Sequence, residues 1–244
     1  MALSTRIRIS IVSFASLFYF KKRSKVIFYH DIHSDKKYTE MSTPIEVFKN
    51  HIQIILENGY EIVAEITKPI GQIEICFDDA FLGLFENIEL IKKLKIPIQL
   101  FVITSYLNKK NHINKEQLIE LNYDSLFIIS SHTKSHKILN DISEDEIRAE
   151  LKDSKSELEG LLGCEVSAIC FPEGKFNHRV VQIANSLDYK KQYSSLPGFY
   201  YNEVCPSVKR RSLVQFANKT EFESILKGGD HLLSFWYKYK YYKK

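Results

Sequence analysis

Short apolar runs recur along this chain, and most of them end on residues that can do chemistry. The runs span 26–29, 73–77, 98–103, 126–129 and 166–171. His30-Asp31 follows the first, Asp78-Asp79 the second, Ser130-Ser131-His132 the fourth and Pro172-Glu173-Gly174 the fifth. Runs this short and continuous are what strands buried on both faces of a parallel sheet require. Between them lie segments of helical period. Ile45, Phe48, Ile52 and Ile55 form a stripe that Thr43-Pro44 opens and Gly59 closes. Phe85, Ile88, Leu90, Ile91 and Leu94 mark a second helix, and Val180, Val181, Ile183 and Ala184 another. Ser143 and Glu146 make a capping box ahead of Ile147, Leu151, Leu158, Leu161 and Leu162. Strands alternating with helices predict an α/β fold, and the number of runs suits a small barrel better than an open sheet. In such folds the site lies at the carboxyl ends of the strands, where the polar residues stand here.

The chain has 244 residues, enough to bury a core without disulfides or metal. No repeat and no long Gly/Ser/Pro linker interrupts 25–235, which reads as one domain. Hydrophobic residues at 44% and charged residues at 26% exclude a wholly disordered chain and a polytopic membrane protein. A net charge of +4 gives no ground for a nucleic-acid partner. The four cysteines form no CxxC pair and are expected to be free and buried.

Both ends depart from this pattern. Residues 1–24 contain no Asp or Glu; Arg6 and Arg8 precede an apolar run at 9–20, and Lys21, Lys22 and Arg23 follow it. The run is shorter than the ~20 residues a membrane span needs. Three readings remain: a signal or anchor segment, an interfacial helix on an anionic membrane, or a packed first helix of the domain. The tail 236–244 alternates aromatic and basic residues, which suits a headgroup interface or an edge guarded by lysines. Together the ends favour a membrane-associated or cell-envelope location with peripheral membrane contact.

Two adjacent carboxylates at a buried strand end are costly unless a cation neutralises them. His132 and His136 stand four apart, a spacing that on a helical turn puts both rings on one face. With Asp79 they offer two nitrogens and one oxygen, a donor set for catalytic zinc or a related divalent ion such as cobalt or nickel, with open positions for water and substrate. Asp78 would then be free to act as a base.

Taken together, Cys76-Phe77-Asp78-Asp79, His132-Thr133-Lys134-Ser135-His136 and Phe171-Pro172-Glu173-Gly174 resemble, in order and content, the polysaccharide deacetylases with a NodB homology domain, the carbohydrate esterase family 4 type. Tyr29-His30, Gly59-Tyr60 and Glu157-Leu158-Glu159 ahead of Leu162-Gly163 fit the same frame. The resemblance covers about residues 25–215 and implies a distorted (β/α)7 barrel that removes N-acetyl groups from sugars with a divalent metal. Carried across, Asp79, His132 and His136 resemble the metal ligands, Asp78 the catalytic base, and Glu173, following Pro172, the donor of an oxyanion-binding backbone N–H.

The chain also departs from that frame. Many members have Arg-Pro-Pro-Tyr-Gly where this chain has Cys170-Phe171-Pro172-Glu173-Gly174, so it lacks the Arg that orients the base. The aromatic-Pro-x-Gly form looks more like the exopolysaccharide branch. Arg210 or Arg211 would replace the missing charge, unless both are exposed. No Leu-x-His closes the last strand. His30 fits members whose motif order is permuted, with Asp31 fixing its orientation, and His231 is the alternative acid. The resemblance therefore implies a metal-dependent N-deacetylase acting on an acetylated amino sugar in a surface polysaccharide or lipid-linked glycan. The alternative is a non-catalytic glycan-binding or scaffolding protein of the same fold.

Overall fold

The protein is described by a computed structural model covering residues 5–18, 22–201, 205, 207–234 and 237. It starts with helix α1 (Thr5–Ser16), followed by β1 (Lys25–Tyr29) and a small parallel pair, β2 (Asp31–His33) with β3 (Ser42–Pro44). Pro44 leads directly into α2 (Ile45–Glu57), and Gly59 at φ 70° turns the chain out of it, as the sequence predicts. Strands β4 (Glu61–Ile62) and β5 (Gln72–Asp78) come next. The helix expected over 85–94 is broken at Asn87, whose φ of −111° leaves the helical range, giving α3 (Leu82–Glu86) and α4 (Ile88–Leu94). Then come β6 (Ile98–Val102), α5 (Lys115–Tyr123), β7 (Phe127–Ser131), α6 (Glu144–Leu162), β8 (Ala168–Cys170) and α7 (His178–Ser186). The Ser143/Glu146 capping box at the start of α6 is formed. Short strands β9 (Lys191–Tyr193), β10 (Val208–Lys209) and β11 (Arg211–Leu213) and helix α8 (Lys219–Leu226) complete the order.

The strands of the main sheet run β10-β9-β8-β7-β6-β5-β1-β11, all pairs parallel. The two ends of that path are the same stretch of chain: only Arg210 separates β10, which pairs with β9, from β11, which pairs with β1. One interrupted strand therefore closes the sheet into a barrel, with six full staves and this seventh.

Alternation along each strand divides the side chains into two sets. Ile27, Tyr29, Ile75, Phe77, Leu100, Ile129 and Ile169 face the helices and form the larger core. Val26, Phe28, Cys76, Phe101, Ala168, Cys170 and Tyr193 fill the barrel. The inward set is more polar than the near-continuous apolar runs suggest. Glu74 accepts a 2.8 Å hydrogen bond from the Tyr193 hydroxyl, and Gln99 donates to Ser130.

Helix α1 lies against α8 and the 3-10 turn Gly229–Leu233. Val12 and Ala15 are buried there, and a methyl group at Gly229 would come within 2.0 Å of the Val12 carbonyl oxygen, so the backbones meet directly. Arg8 reaches the buried Glu221 at 2.8 Å. One face of α1 is thus part of the domain, as the packed-helix reading expects. Phe14 on its outer side, and Leu17 and Phe18 in the turn that follows it, remain 63–66% exposed. No helix among the described residues is long and apolar enough to cross a membrane. The tail 236–244 lies outside the described residues apart from Tyr237.

Candidate active site

Asp78 is the last residue of β5, and alternation from Glu74 through Cys76 points it into the mouth of the barrel. Arg211, first residue of the closing strand, meets it there in a two-pronged pair: Nη1 donates to Oδ1 at 2.6 Å and Nη2 to Oδ2 at 2.8 Å. The guanidinium also donates through Nε to the Ser194 carbonyl and through Nη2 to Cys170 Sγ, and it stacks over the Phe28 ring at 4.2 Å. Burial alone would push the Asp78 carboxyl up. The charge and hydrogen bonds of Arg211 outweigh that, with His132 and His30 adding to them, and hold it at about 2. Of the two arginines proposed to replace the missing charge, Arg211 does so. Arg210 instead donates to the Pro197 carbonyl at 3.0 Å. Neither is an exposed surface residue.

Asp79 follows at φ 70°, a left-handed turn that swings its carboxylate away from the strand direction. His132 Nε2 lies 3.5 Å from Asp79 Oδ1, and His136 Nε2 lies 3.9 Å from the same atom. The two histidines are brought together without a helical turn. Residues 132–138 form a loop in which Thr133 and His136 take positive φ, 66° and 61°. Thr133 N is bonded to Ser131 Oγ, His136 N to Thr133 Oγ1, and Ser135 N to Glu150 on α6. These bonds hold a β-branched residue in a conformation it rarely adopts. The two rings still converge, with centroids 4.8 Å apart. Among the described residues, five of the nine non-glycine positions with positive φ, Asp79, Ala80, Thr133, His136 and Glu173, lie in the segments around this mouth. Backbone strain concentrates where side chains must be aimed.

The residues fit a divalent metal. One ligand atom from each of Asp79, His132 and His136 falls within a 4.8 Å cluster. Donors bound to one ion stand ~3–3.5 Å apart, so small side-chain adjustments suffice. The His132 ring is oriented by Nδ1, which pairs with the Cys170 carbonyl at 2.8 Å and leaves Nε2 facing Asp79. Burial lowers His132 to about 4 despite the pull of Asp78, so the imidazole is neutral and its lone pair available at neutral pH. Asp79 Oδ1 is buried without a hydrogen-bond partner. An orphaned carboxylate oxygen facing two imidazole nitrogens is an arrangement that a cation completes.

His30 follows β1 and continues its inward alternation past Val26 and Phe28. It lines the same cavity as Asp78, Asp79, His132 and His136. The orienting role expected of Asp31 falls to another residue. Asp31 points to the opposite side of the chain and is fully buried against α3, where a methyl at Gly83 would sit 2.5 Å from its Oδ1. Burial raises its carboxyl to about 7. His30 Nδ1 instead pairs with Gln215 Oε1 at 2.7 Å. Sequence reasoning missed Gln215, although a signal existed: the last strand runs into Leu213-Val214-Gln215, a Leu-x frame with Gln where the resemblance led to His. His231, the alternative acid, does not line the cavity. Its ring stacks on Phe199 at 5.2 Å, and its Nδ1 would be 2.8 Å from a methyl at Gly198.

Pro172 is buried at the start of a 3-10 turn, and Glu173 within it adopts φ 53°, ψ 12°. The following amides close turn bonds, Gly174 to the Phe171 carbonyl and Lys175 to that of Pro172. The Glu173 side chain pairs outward with Lys175 at 2.6 Å, while the residue itself lines the cavity. The cavity measures about 420 Å³ and runs from the histidines past Leu213 and Pro197 to Arg8 and Val12 of α1.

Comparison with known proteins agrees with this geometry. The sequence profile of the polysaccharide deacetylase family matches residues 65–191, just over half of the chain. A Bacillus subtilis (strain 168) protein, YxkH, named as a candidate polysaccharide deacetylase, is 24% identical over 184 residues. That match covers 71% of this chain and 64% of the relative, so the chain spans somewhat less than two thirds of that protein's length. Among solved structures, IcaB from Ammonifex degensii superposes with a TM-score of 0.75 at 17% identity, covering 86% of this chain and 97% of that one. The Streptococcus pyogenes deacetylase PplD in complex with acetate gives 0.72 at 21% identity, covering 83% and 97%. The structural likenesses establish the (β/α)7 barrel. With the profile match spanning the Asp78-Asp79, His132-His136 and Pro172-Glu173-Gly174 segments, this chain belongs to the polysaccharide deacetylase family.

Proposed function

We propose that the protein hydrolyses the N-acetyl amide of an amino sugar in a surface polysaccharide or lipid-linked glycan, in a metal-dependent reaction. The observation that carries this reading is one cavity holding an ionised, arginine-clamped Asp78 beside the Asp79, His132 and His136 donors. A divalent ion there, zinc by donor preference, would supply Lewis-acid polarisation of the acetamide carbonyl and a more acidic water. Asp78 takes the proton of the attacking water. The backbone N–H of Glu173 donates to the oxyanion that forms on the carbonyl carbon. His30 then gives a proton to the amide nitrogen, the C–N bond breaks, and acetate and the free amine leave. The non-catalytic alternative rests on the missing arginine and the unassigned acid, and Arg211 on Asp78 removes the first ground.

Acetate release from N-acetylglucosamine oligomers, with stoichiometric zinc or cobalt, tests the reading. Metal-dependent release is expected, and Asp78→Asn should abolish it. One bound metal with no release from any acetylated glycan, soluble or lipid-linked, would favour glycan binding without catalysis.

We also propose that the outer side of α1 rests on an anionic membrane surface, consistent with a cell-envelope location. Phe14 is exposed there, Leu17 and Phe18 are exposed in the turn that follows, Lys22 and Arg23 come next, and the first acidic residue is Asp31. Flotation with anionic vesicles tests this.

A further inference from the structure

We infer that Gln215 is a positioning residue for the general acid, and that its neutral amide sets the proton on His30 differently from a carboxylate partner. This rests on the assignment of His30 as the acid. Gln215 is itself firmly held. It is buried, its carbonyl accepts from Thr43 Oγ1 at 3.1 Å, and the neighbouring Val214 amide donates to Phe28. Two residues on, the Ala217 carbonyl pairs with His51 on α2 at 2.9 Å. The 214–217 segment is therefore tied to β1, β3 and α2, and Gln215 Oε1 reaches His30 from this anchored base.

With Gln215 Oε1 turned to the ring, the bond selects one tautomer. An amide oxygen can only accept, so His30 carries its proton on Nδ1 whenever this bond is made. In the cationic ring both nitrogens are protonated and Nε2 is left for the cavity. After Nε2 gives its proton to the leaving amine, the neutral ring that remains is the Nδ1–H form, already bonded to Gln215. No rotation or tautomer exchange is needed before the next turnover. A carboxylate in the same place would make the same hydrogen bond but would also stabilise the cation, leaving a weaker acid. Asp78 acts on the ring from across the cavity, Arg211 balances Asp78, and Phe28 packs against the ring at 5.8 Å. Asp31 faces away, against Gly83.

The test uses the metal-loaded full-length protein for kinetics and the same protein without metal for spectroscopy. The nitrogen signals of the His30 imidazole are expected to report the Nδ1–H tautomer, and Gln215→Ala to shift the ring toward Nε2–H. Gln215→Ala should lower kcat about tenfold to a hundredfold with KM little changed, consistent with a general-acid contribution of 10²–10⁴. Gln215→Glu keeps an acceptor and should restore much of kcat, while moving the alkaline limb of the pH–rate profile up by about one unit. If His30→Ala abolishes turnover while Gln215→Ala leaves kcat, tautomer and pH profile unchanged, Gln215 has no positioning role. If His30→Ala itself retains turnover with the fold intact, the acid assignment fails and this inference fails with it. If Gln215→Glu restores kcat without moving the alkaline limb, the charge argument is overturned.

Discussion

Arg211 shows how much one side chain settles at this site. Its guanidinium is fully buried, clamps both oxygens of Asp78 and stacks on Phe28. Removing it would strand a buried carboxylate, a change that costs about 3–5 kcal/mol in comparable pairs. Lysine keeps the charge but cannot make the two parallel bonds. Arg211→Lys is therefore expected to fold, to lose at least tenfold in acetate release, and to be less resistant to acid. The sign follows from Asp78: its folded value is depressed from 3.8 to about 2, so its contribution to stability is present above 3.8 and is lost as pH falls toward 2. Acid unfolding followed by circular dichroism checks this, and a variant that unfolds at the same pH as the parent would contradict it. The residues gathered at the mouth, Asp78, Asp79, His132 and His136, were legible in the sequence because Asp and His announce their chemistry. Gln215 was missed, because its one signal is the Leu213-Val214 frame before it and an amide there announces no chemistry until it meets His30, 185 residues away.

At the scale of elements, the sequence was most legible where one local rule acts alone. The Pro44 start of α2 and the Ser143/Glu146 box of α6 formed as read. The His132–His136 spacing, which on a helical turn would put both rings on one face, is met here by a loop with two left-handed residues held by α6, and the rings still converge. Strands β9, β10 and β11 have two or three residues each, too few to show a period, so the roles of Arg210 and Arg211 could only be left open. Helix α1 packs one face on α8, as the packed-helix reading expects, while Phe14 on it and Leu17 and Phe18 just beyond it stay exposed. The double variant Phe14→Ser, Phe18→Ser changes only the outer side. It is expected to keep acetate release from soluble oligomers and to lose at least tenfold in binding to anionic vesicles, with little binding of either form to zwitterionic ones. Equal flotation of parent and variant would end the membrane proposal.

For the whole molecule, the barrel interior makes stability depend on pH in the opposite sense to Asp78. Glu74 sits inside the barrel on Tyr193, and burial raises its carboxyl from 4.5 to about 7, partly offset by the Tyr193 bond and Lys191. A raised folded value means full stability below 4.5, lost as pH rises through about 7. The shift corresponds to about 3 kcal/mol as an order of magnitude. Glu74→Gln is expected to flatten the fall in unfolding free energy between pH 4.5 and 7, leaving a smaller slope from Asp31, which is also raised to about 7. Urea titrations across that range measure it, and an unchanged slope would show that Glu74 is not responsible.

The single interrupted stave at 208–213 ties the order of synthesis to the appearance of activity. Its β11 half docks on β1, so the first and last strands of the barrel are partners separated by most of the chain. Until a ribosome has released that stretch, β1 and β9 remain open edges, and Asp78 lacks Arg211 just as His30 lacks Gln215. Nascent or prematurely ended chains would carry the Asp78-Asp79 and His132–His136 segments without Arg211 on Asp78. Competence arrives in one late event, together with closure, and the same unclosed edges are what a chaperone would have to guard in the meantime.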